Sequence, residues 1–76
     1  VATMLAEHLT DERLSLRELE VLQGAARGNA NKRIAADLGI SEDTVKAHMK
    51  NILAKLGAND RTHAVVTAIK RGIIEL

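Results

Sequence analysis

Only three residues, Gly39, Ile40 and Ser41, separate two stretches that each carry the apolar spacing of a helix. The first, Asn31 to Leu38, sets Ile34, Ala35 and Leu38 on one stripe and stops at Gly39. The second opens on Ser41, a good N-cap, with Glu42 and Asp43 at the positive end of the helix dipole. It runs over residues 42–56 and stops at Gly57. A join this short holds two helices at a fixed crossing of ~90–120°, the geometry of a helix-turn-helix unit. Ala35 is expected at the crossing, where a small side chain permits close approach, and Val45 is expected to anchor the second helix inside. A plain helical hairpin satisfies the same spacing, so the join leaves both readings open.

Two more helices flank this pair. Ser15 with Glu18 three residues later is a capping box. Leu14 and Leu19 stand where a hydrophobic staple would place them, and Leu19, Leu22 and Ala26 recur at helical spacing before Gly28. The last helix is expected to start with Asp60 as N-cap and to end at Gly72. Residues 1–13 show no firm pattern beyond Met4, Leu5 and Leu9 and read as a linker or N-terminal extension, which leaves 14–76 as one domain. The first residue is Val, as in a fragment or a processed chain.

Composition narrows the functions available. With 76 residues and no Phe, Trp, Tyr or Pro, the core must be built from Leu, Ile, Val, Ala and Met. These residues favour an all-α fold. A chain this short buries only ~60% of its unfolded surface, too little to wall an active-site cavity. The absence of Cys excludes disulfides and thiolate chemistry. His8, His48 and His63 lack ligand spacing, no Gly-rich phosphate loop occurs, and no Ser and His are arranged as nucleophile and base. No enzymatic activity, cofactor or metal is expected. No apolar run reaches the ~20 residues that span a bilayer, and no secretion signal is evident, so a cytoplasmic location is expected.

Net charge is only +1, but the charge is unevenly spread. From Thr44 to Asn59 the chain carries Lys46, Lys50 and Lys55 and no acid. At the α-helical period, Val45, Met49, Ile52 and Leu56 fall on one narrow stripe. The opposite side carries Asp43, Ala47, Lys50, Asn51 and Ala54, flanked by Thr44 and Lys46. Two alanines leave this outer face low. A low, basic helix face fits a major groove ~12 Å wide, where lysines reach phosphates or guanine edges, Asn51 pairs with adenine and Ala47 touches a thymine methyl. The plainer reading is a solvated face in which Ala is only a good helix former. His48, at the stripe's margin, is either a space-filling half-buried side chain or a phosphate contact.

Four spaced motifs carry a resemblance: R-E-x-E-V-L at Arg17 to Leu22, G-x-x-N-K-x-I-A at Gly28 to Ala35, I-S-x-x-T-V-K-x-H at Ile40 to His48, and K-L-G at Lys55 to Gly57. In this order they resemble the LuxR-type helix-turn-helix domain, the output module of quorum-sensing regulators and of NarL/FixJ-class response regulators. The resemblance spans Leu14 to Ile74. It implies an all-α, four-helix domain whose third helix enters the major groove of double-stranded DNA. It places Lys46, Ala47 and Lys50 at base or nearby phosphate contacts, assisted by Ser41, Thr44, His48, Asn51 and Lys55, while Asn31 and Lys32 hold the DNA backbone. Glu18, Leu22 and Gly28 match positions with structural roles.

Two departures stand out. Ala30 occupies the usual Ser or Thr N-cap of the second helix, a role for which Asn29 or Asn31 is the available substitute. Arg33 replaces a common Glu and adds positive charge. On the fourth helix, Ala64, Val65, Val66, Ala68 and Ile69 cover roughly half the circumference, whereas a core stripe needs about 100°. The surplus, Val66 on one side or Ala64 and Ala68 on the other, is expected to form a homodimer contact; the plainer reading is a helix gripped from two sides, by the core and the N-terminal segment. RNA polymerase is a further candidate partner, and the resemblance implies an upstream receiver or ligand-binding domain outside this chain. The competing readings are a protein-interaction helical domain and a sigma-factor region-four-like promoter and polymerase binder.

Overall fold

The computed structural model describes residues 13–75, which form four helices and no strand. They are α1 (Leu16–Ala26), α2 (Asn31–Leu38), α3 (Glu42–Leu56) and α4 (Arg61–Lys70). The linker expected over residues 1–13 lies outside the described residues, Arg13 excepted. No helix among the described residues is long and apolar enough to cross a membrane.

Each helix begins where a local side chain satisfies its free N–H groups, with one exception. Ser15 and Glu18 close a complete capping box on α1: the Ser15 hydroxyl accepts from Glu18 N–H at 3.1 Å, and Glu18 Oε1 accepts from Ser15 N–H at 2.8 Å. Ser41 caps α3, and Asp60 caps α4 through His63 N–H at 2.8 Å. The exception is α2. Ala30 is its N-cap and supplies no side-chain bond, and neither Asn29 nor Asn31 substitutes for it.

Helix ends follow one pattern. At Gly39, φ is +69°, a left-handed conformation that a Cβ would strain. There the Ile40 N–H donates to the Ala35 carbonyl at 3.0 Å and the Gly39 N–H to the Ala36 carbonyl at 3.4 Å. This pair of bonds reverses the chain within the three-residue join and sends it into α3. The same pair closes the other helices, so α1 ends at Ala26, two residues short of Gly28, and α4 at Lys70, two short of Gly72.

Packing has a centre and two flanks. Helices α1 and α3 each pack against all three others, whereas α2 and α4 do not pack on one another. Val21 and Leu22 from α1, Ile34 and Ala35 from α2, Val45, Met49, Ile52 and Leu56 from α3, and Ala64 and Ala68 from α4 form one apolar cluster, closed below by Ile74. The Gln23 amide donates to the Glu75 carbonyl at 2.9 Å and holds that last turn in place.

Helices α1 and α2 approach closely at Gly24, a position the sequence pattern did not single out. A Cβ there would lie 2.9 Å from Cγ1 and 3.3 Å from Cδ1 of Ile34. Ala35, expected where α2 crosses α3, is buried in the core cluster. Gly24→Ala is therefore expected to lower stability even though Ala favours a helix by about 1 kcal/mol. Overpacking costs about 1–3 kcal/mol. Urea unfolding should show a lower midpoint with an unchanged slope; a midpoint at or above that of the parent would refute the close contact.

Candidate nucleic-acid interface

Helix α3 turns two unlike faces to its surroundings. Val45, Met49, Ile52 and Leu56 are buried, as their spacing predicts. Thr44, Lys46, Ala47, Lys50, Asn51 and Ala54 are exposed, and His48 is half-buried at the boundary between the faces. Because α3 is held by α1, α2 and α4 together, its outer face is a rigid surface.

The start of that face is set by two hydroxyls. Ser41 Oγ accepts from Thr44 N–H at 3.1 Å, and the Ser41 and Thr44 hydroxyl oxygens lie 2.9 Å apart. Two O–H groups share one mutual bond, so the pair keeps one O–H for an outside acceptor. Glu42 and Asp43 lie in the first turn, and no acid follows on the helix.

Charge pairing elsewhere sharpens the contrast. Arg17 pairs with Glu20 at 3.4 Å, and the Arg33 Nε donates to both carboxylate oxygens of Asp37 at 3.1 Å. The positive charge expected from Arg33 is thus offset within its own helix. Lys46, Lys50 and the exposed Lys32 have no acidic partner among the described residues. Exposed Arg27, Lys70 and Arg71 likewise lack an acidic partner among those residues, so what sets α3 apart is that its two free lysines stand together on one low helix face.

Lys55 is not among them. Its ammonium donates to Glu18 Oε1 at 2.7 Å, and Glu18 is only 5% exposed. The same ammonium reaches the Arg13 carbonyl at 3.4 Å. Lys55 therefore ties the end of α3 to the start of α1, and its charge is spent on a buried carboxylate. Lys55, expected to assist a DNA contact, is here directed at α1 and not at the outer face of α3.

Helix α4 departs from the expected dimer contact at two residues. Ala64 and Ala68 are 0% exposed and lie in the core. They are unavailable to a second subunit, because α4 is gripped by both α1 and α3 and needs apolar surface on two sides. Val66, 42% exposed, remains on the outside.

At the start of α2, Lys32 is exposed and Asn31 is half-buried. The Asn31 Oδ1 accepts from the Arg61 guanidinium at 2.6 Å, and a second Arg61 nitrogen donates to the Asn29 carbonyl. This bridge joins α2 and α4 across 30 residues of sequence. No local spacing rule points to it, nor to the Glu18–Lys55 pair. An open groove of about 440 Å³ lies beside it, lined by Ala25, Gly28, Ala30, Thr62 and Val65 among others.

Comparison with known proteins places this geometry. Residues 12–68 match the family described as bacterial regulatory proteins, luxR family. The chain is 53% identical over 70 residues to the transcriptional regulatory protein YxjL of Bacillus subtilis (strain 168), covering 92% of this chain and 32% of that protein. Thus it spans about a third of that relative's length. The solved structure of the transcription factor GerE superposes with a TM-score of 0.78 at 35% identity, over 82% of this chain and 92% of that one. The response regulator ChrA, from a heme-sensing two-component system, superposes with a TM-score of 0.79 at 41% identity, over 96% of this chain and 37% of that one.

The Glu18–Lys55 latch has a consequence in pH. Burial raises the Glu18 carboxyl, but the bonds from Lys55 and Ser15 outweigh it and hold the group below its ordinary value of 4.5. A lowered folded-state pKa contributes stability that is present above the unfolded value and lost as pH falls through the folded one. Glu18→Gln keeps an acceptor for the capping box and removes the charge. The stability gap between parent and Glu18→Gln should be full near neutrality and shrink as pH falls from about 5 toward 3. Thermal melts across that range check it, and a gap independent of pH would sink the assignment.

Proposed function

The chain belongs to the luxR family of bacterial regulatory proteins, and we propose that residues 14–76 are the DNA-binding output domain of a transcription regulator of the two-component response-regulator kind. Helix α3 lies in the major groove of double-stranded DNA. What carries the proposal is the outer face of α3: two unpaired lysines over a surface kept low by Ala47 and Ala54, with no acid beyond Asp43. A backbone that approaches closely favours base-edge contact, and a major groove ~12 Å wide accepts the helix.

Roles follow from chemistry and position. Lys46 and Lys50 reach phosphates or guanine acceptors, and Asn51 offers the paired donor and acceptor that suit adenine. Ala47 gives apolar contact to a thymine methyl. Thr44 and Ser41 offer their one remaining O–H to a phosphate oxygen at the groove's edge. His48, half-buried, sits where its ring supports the helix and its edge meets the backbone. Lys32 and Asn31 hold the strand from the start of α2.

Pairing of two copies through α4 rests on Val66, since Ala64 and Ala68 face inward. Such a pair reads half-sites about one helical turn, ~10 bp, apart. Contact with RNA polymerase, a cytoplasmic setting and an upstream receiver or ligand-binding domain belong to the same proposal. The matched relatives YxjL and ChrA are about three times as long as this chain.

Lys50→Ala tests the central claim. Lys50 is exposed and opposite the core stripe, so the melting temperature should not change. Affinity for duplex DNA at low salt should fall about tenfold, the loss of one charge-assisted contact. If Lys50 meets a phosphate, the slope of log K against log salt falls by about 1; if it meets a base, the slope holds and sequence preference relaxes at one position. Unchanged affinity at low salt would overturn the placement of α3 in the groove.

A further inference from the structure

The Arg61 bridge has a chemical direction. A guanidinium only donates, so the Asn31 atom that faces it must be the carbonyl oxygen and not the amide nitrogen. That contact fixes which way the carboxamide is turned. The oxygen that would otherwise cap α2 is occupied, consistent with the missing side-chain cap. The amide NH₂ is left over, and it has no hydrogen-bond partner among the described residues. A second arm of the same guanidinium holds the Asn29 carbonyl. Both residues flanking Ala30 are therefore pinned by one side chain from another helix. Because α2 and α4 do not pack on each other, this side chain is what sets the start of α2 against the start of α4.

We propose that Arg61 is a positioning residue for DNA binding: by taking the Asn31 oxygen and the Asn29 carbonyl it turns the Asn31 NH₂ outward as a ready donor to a phosphodiester oxygen. This rests on the DNA-binding reading above and adds a residue that touches no DNA. The Arg61 guanidinium commits one N–H on each arm to these two oxygens. Its effect passes through Asn31, a side chain whose rotation would otherwise cost affinity each time it is ordered. The bridge satisfies none of the free N–H groups of α2, since a guanidinium only donates, but it ties the residues on either side of Ala30 to α4.

The test is a double-mutant cycle on the whole chain, with fluorescence anisotropy on random-sequence duplex DNA at low salt and a thermal melt for each variant. Asn31→Ala should weaken binding by about tenfold, the share of one hydrogen bond to a charged acceptor. Arg61→Ala should weaken it by a similar factor, and the double variant should be no weaker than either single one, because the two residues act as a unit. Asn31→Asp keeps the partner of Arg61 and removes the donor. It should melt no lower than the parent and still lose affinity. If Arg61→Ala fails to fold, Arg61→Lys serves in its place: it keeps the charge but cannot hold both acceptors in one plane, so affinity falls while the salt slope stays. Losses that multiply in the double variant would mean that Arg61 meets DNA directly, and unchanged affinity in Arg61→Ala or Asn31→Asp would mean that the bridge is structural only; either overturns the proposal. Failure of the parent chain itself to bind duplex DNA would instead overturn the DNA-binding reading, and this inference with it.

Discussion

The apolar seam shared by α1 and α3 is the constraint on which the rest depends. Without aromatic side chains, no single residue fills much space. Density must come from close approach of backbones, through Val21, Leu22, Val45 and Ile52, all completely buried. The two helices that meet there also touch both remaining helices. Gly24 extends the same logic to α2, where even a methyl group would press on Ile34. At the end of the seam the buried Glu18 meets Lys55. An unpaired carboxylate in that place would be costly, and the pair is favourable because the capping box supplies further bonds to the same group. One acid thus serves a helix start and a tertiary latch together.

Local rules proved sufficient for the helices and insufficient for their mutual placement. Ser15, Ser41 and Asp60 cap through bonds three residues away, and the glycines end helices through bonds of similar range, so α2 and α3 appear over residues 31–38 and 42–56 as the sequence implies. The alternation on α3 was equally legible, because a buried stripe and an exposed face follow from one period. Long-range contacts were not. Gly24 reads as a mild helix defect until Ile34 is placed beside it. Lys55 reads as one more lysine on a basic helix until Glu18 is found beneath it. On α4 the helical wheel gave the width of the apolar surface but not its cause. Two neighbours, not one neighbour and a second subunit, account for Ala64 and Ala68.

Those corrections narrow the candidate interface. Arg17, Arg33 and Lys55 each have an acidic partner. Exposed pairs such as Arg33–Asp37 add little stability, but they cancel field where they sit. A chain of net charge +1 can therefore present a local positive surface, because Glu18, Glu20 and Asp37 on α1 and α2 each stand against a cation and the acids of α3, Glu42 and Asp43, are confined to its first turn. Overall charge is a poor guide to a domain of this kind; the location of the unpaired cations is the relevant quantity.

Holding a reading helix rigid and letting it approach closely make opposing demands on its surface. Long side chains on the outer face would add contacts but keep the backbone out of a groove. Here the two demands are separated by face. Rigidity comes from Val45, Met49, Ile52 and Leu56 on the inside and from Lys55 at the end. Approach comes from Ala47 and Ala54 on the outside. The same separation recurs at α2, where the start of the helix is steadied by Arg61 from α4 and not by a cap that would cover its outer edge. In both places the supporting contacts lie behind the surface offered to a partner, so residues on that surface are free to vary in what they recognise without loosening the fold.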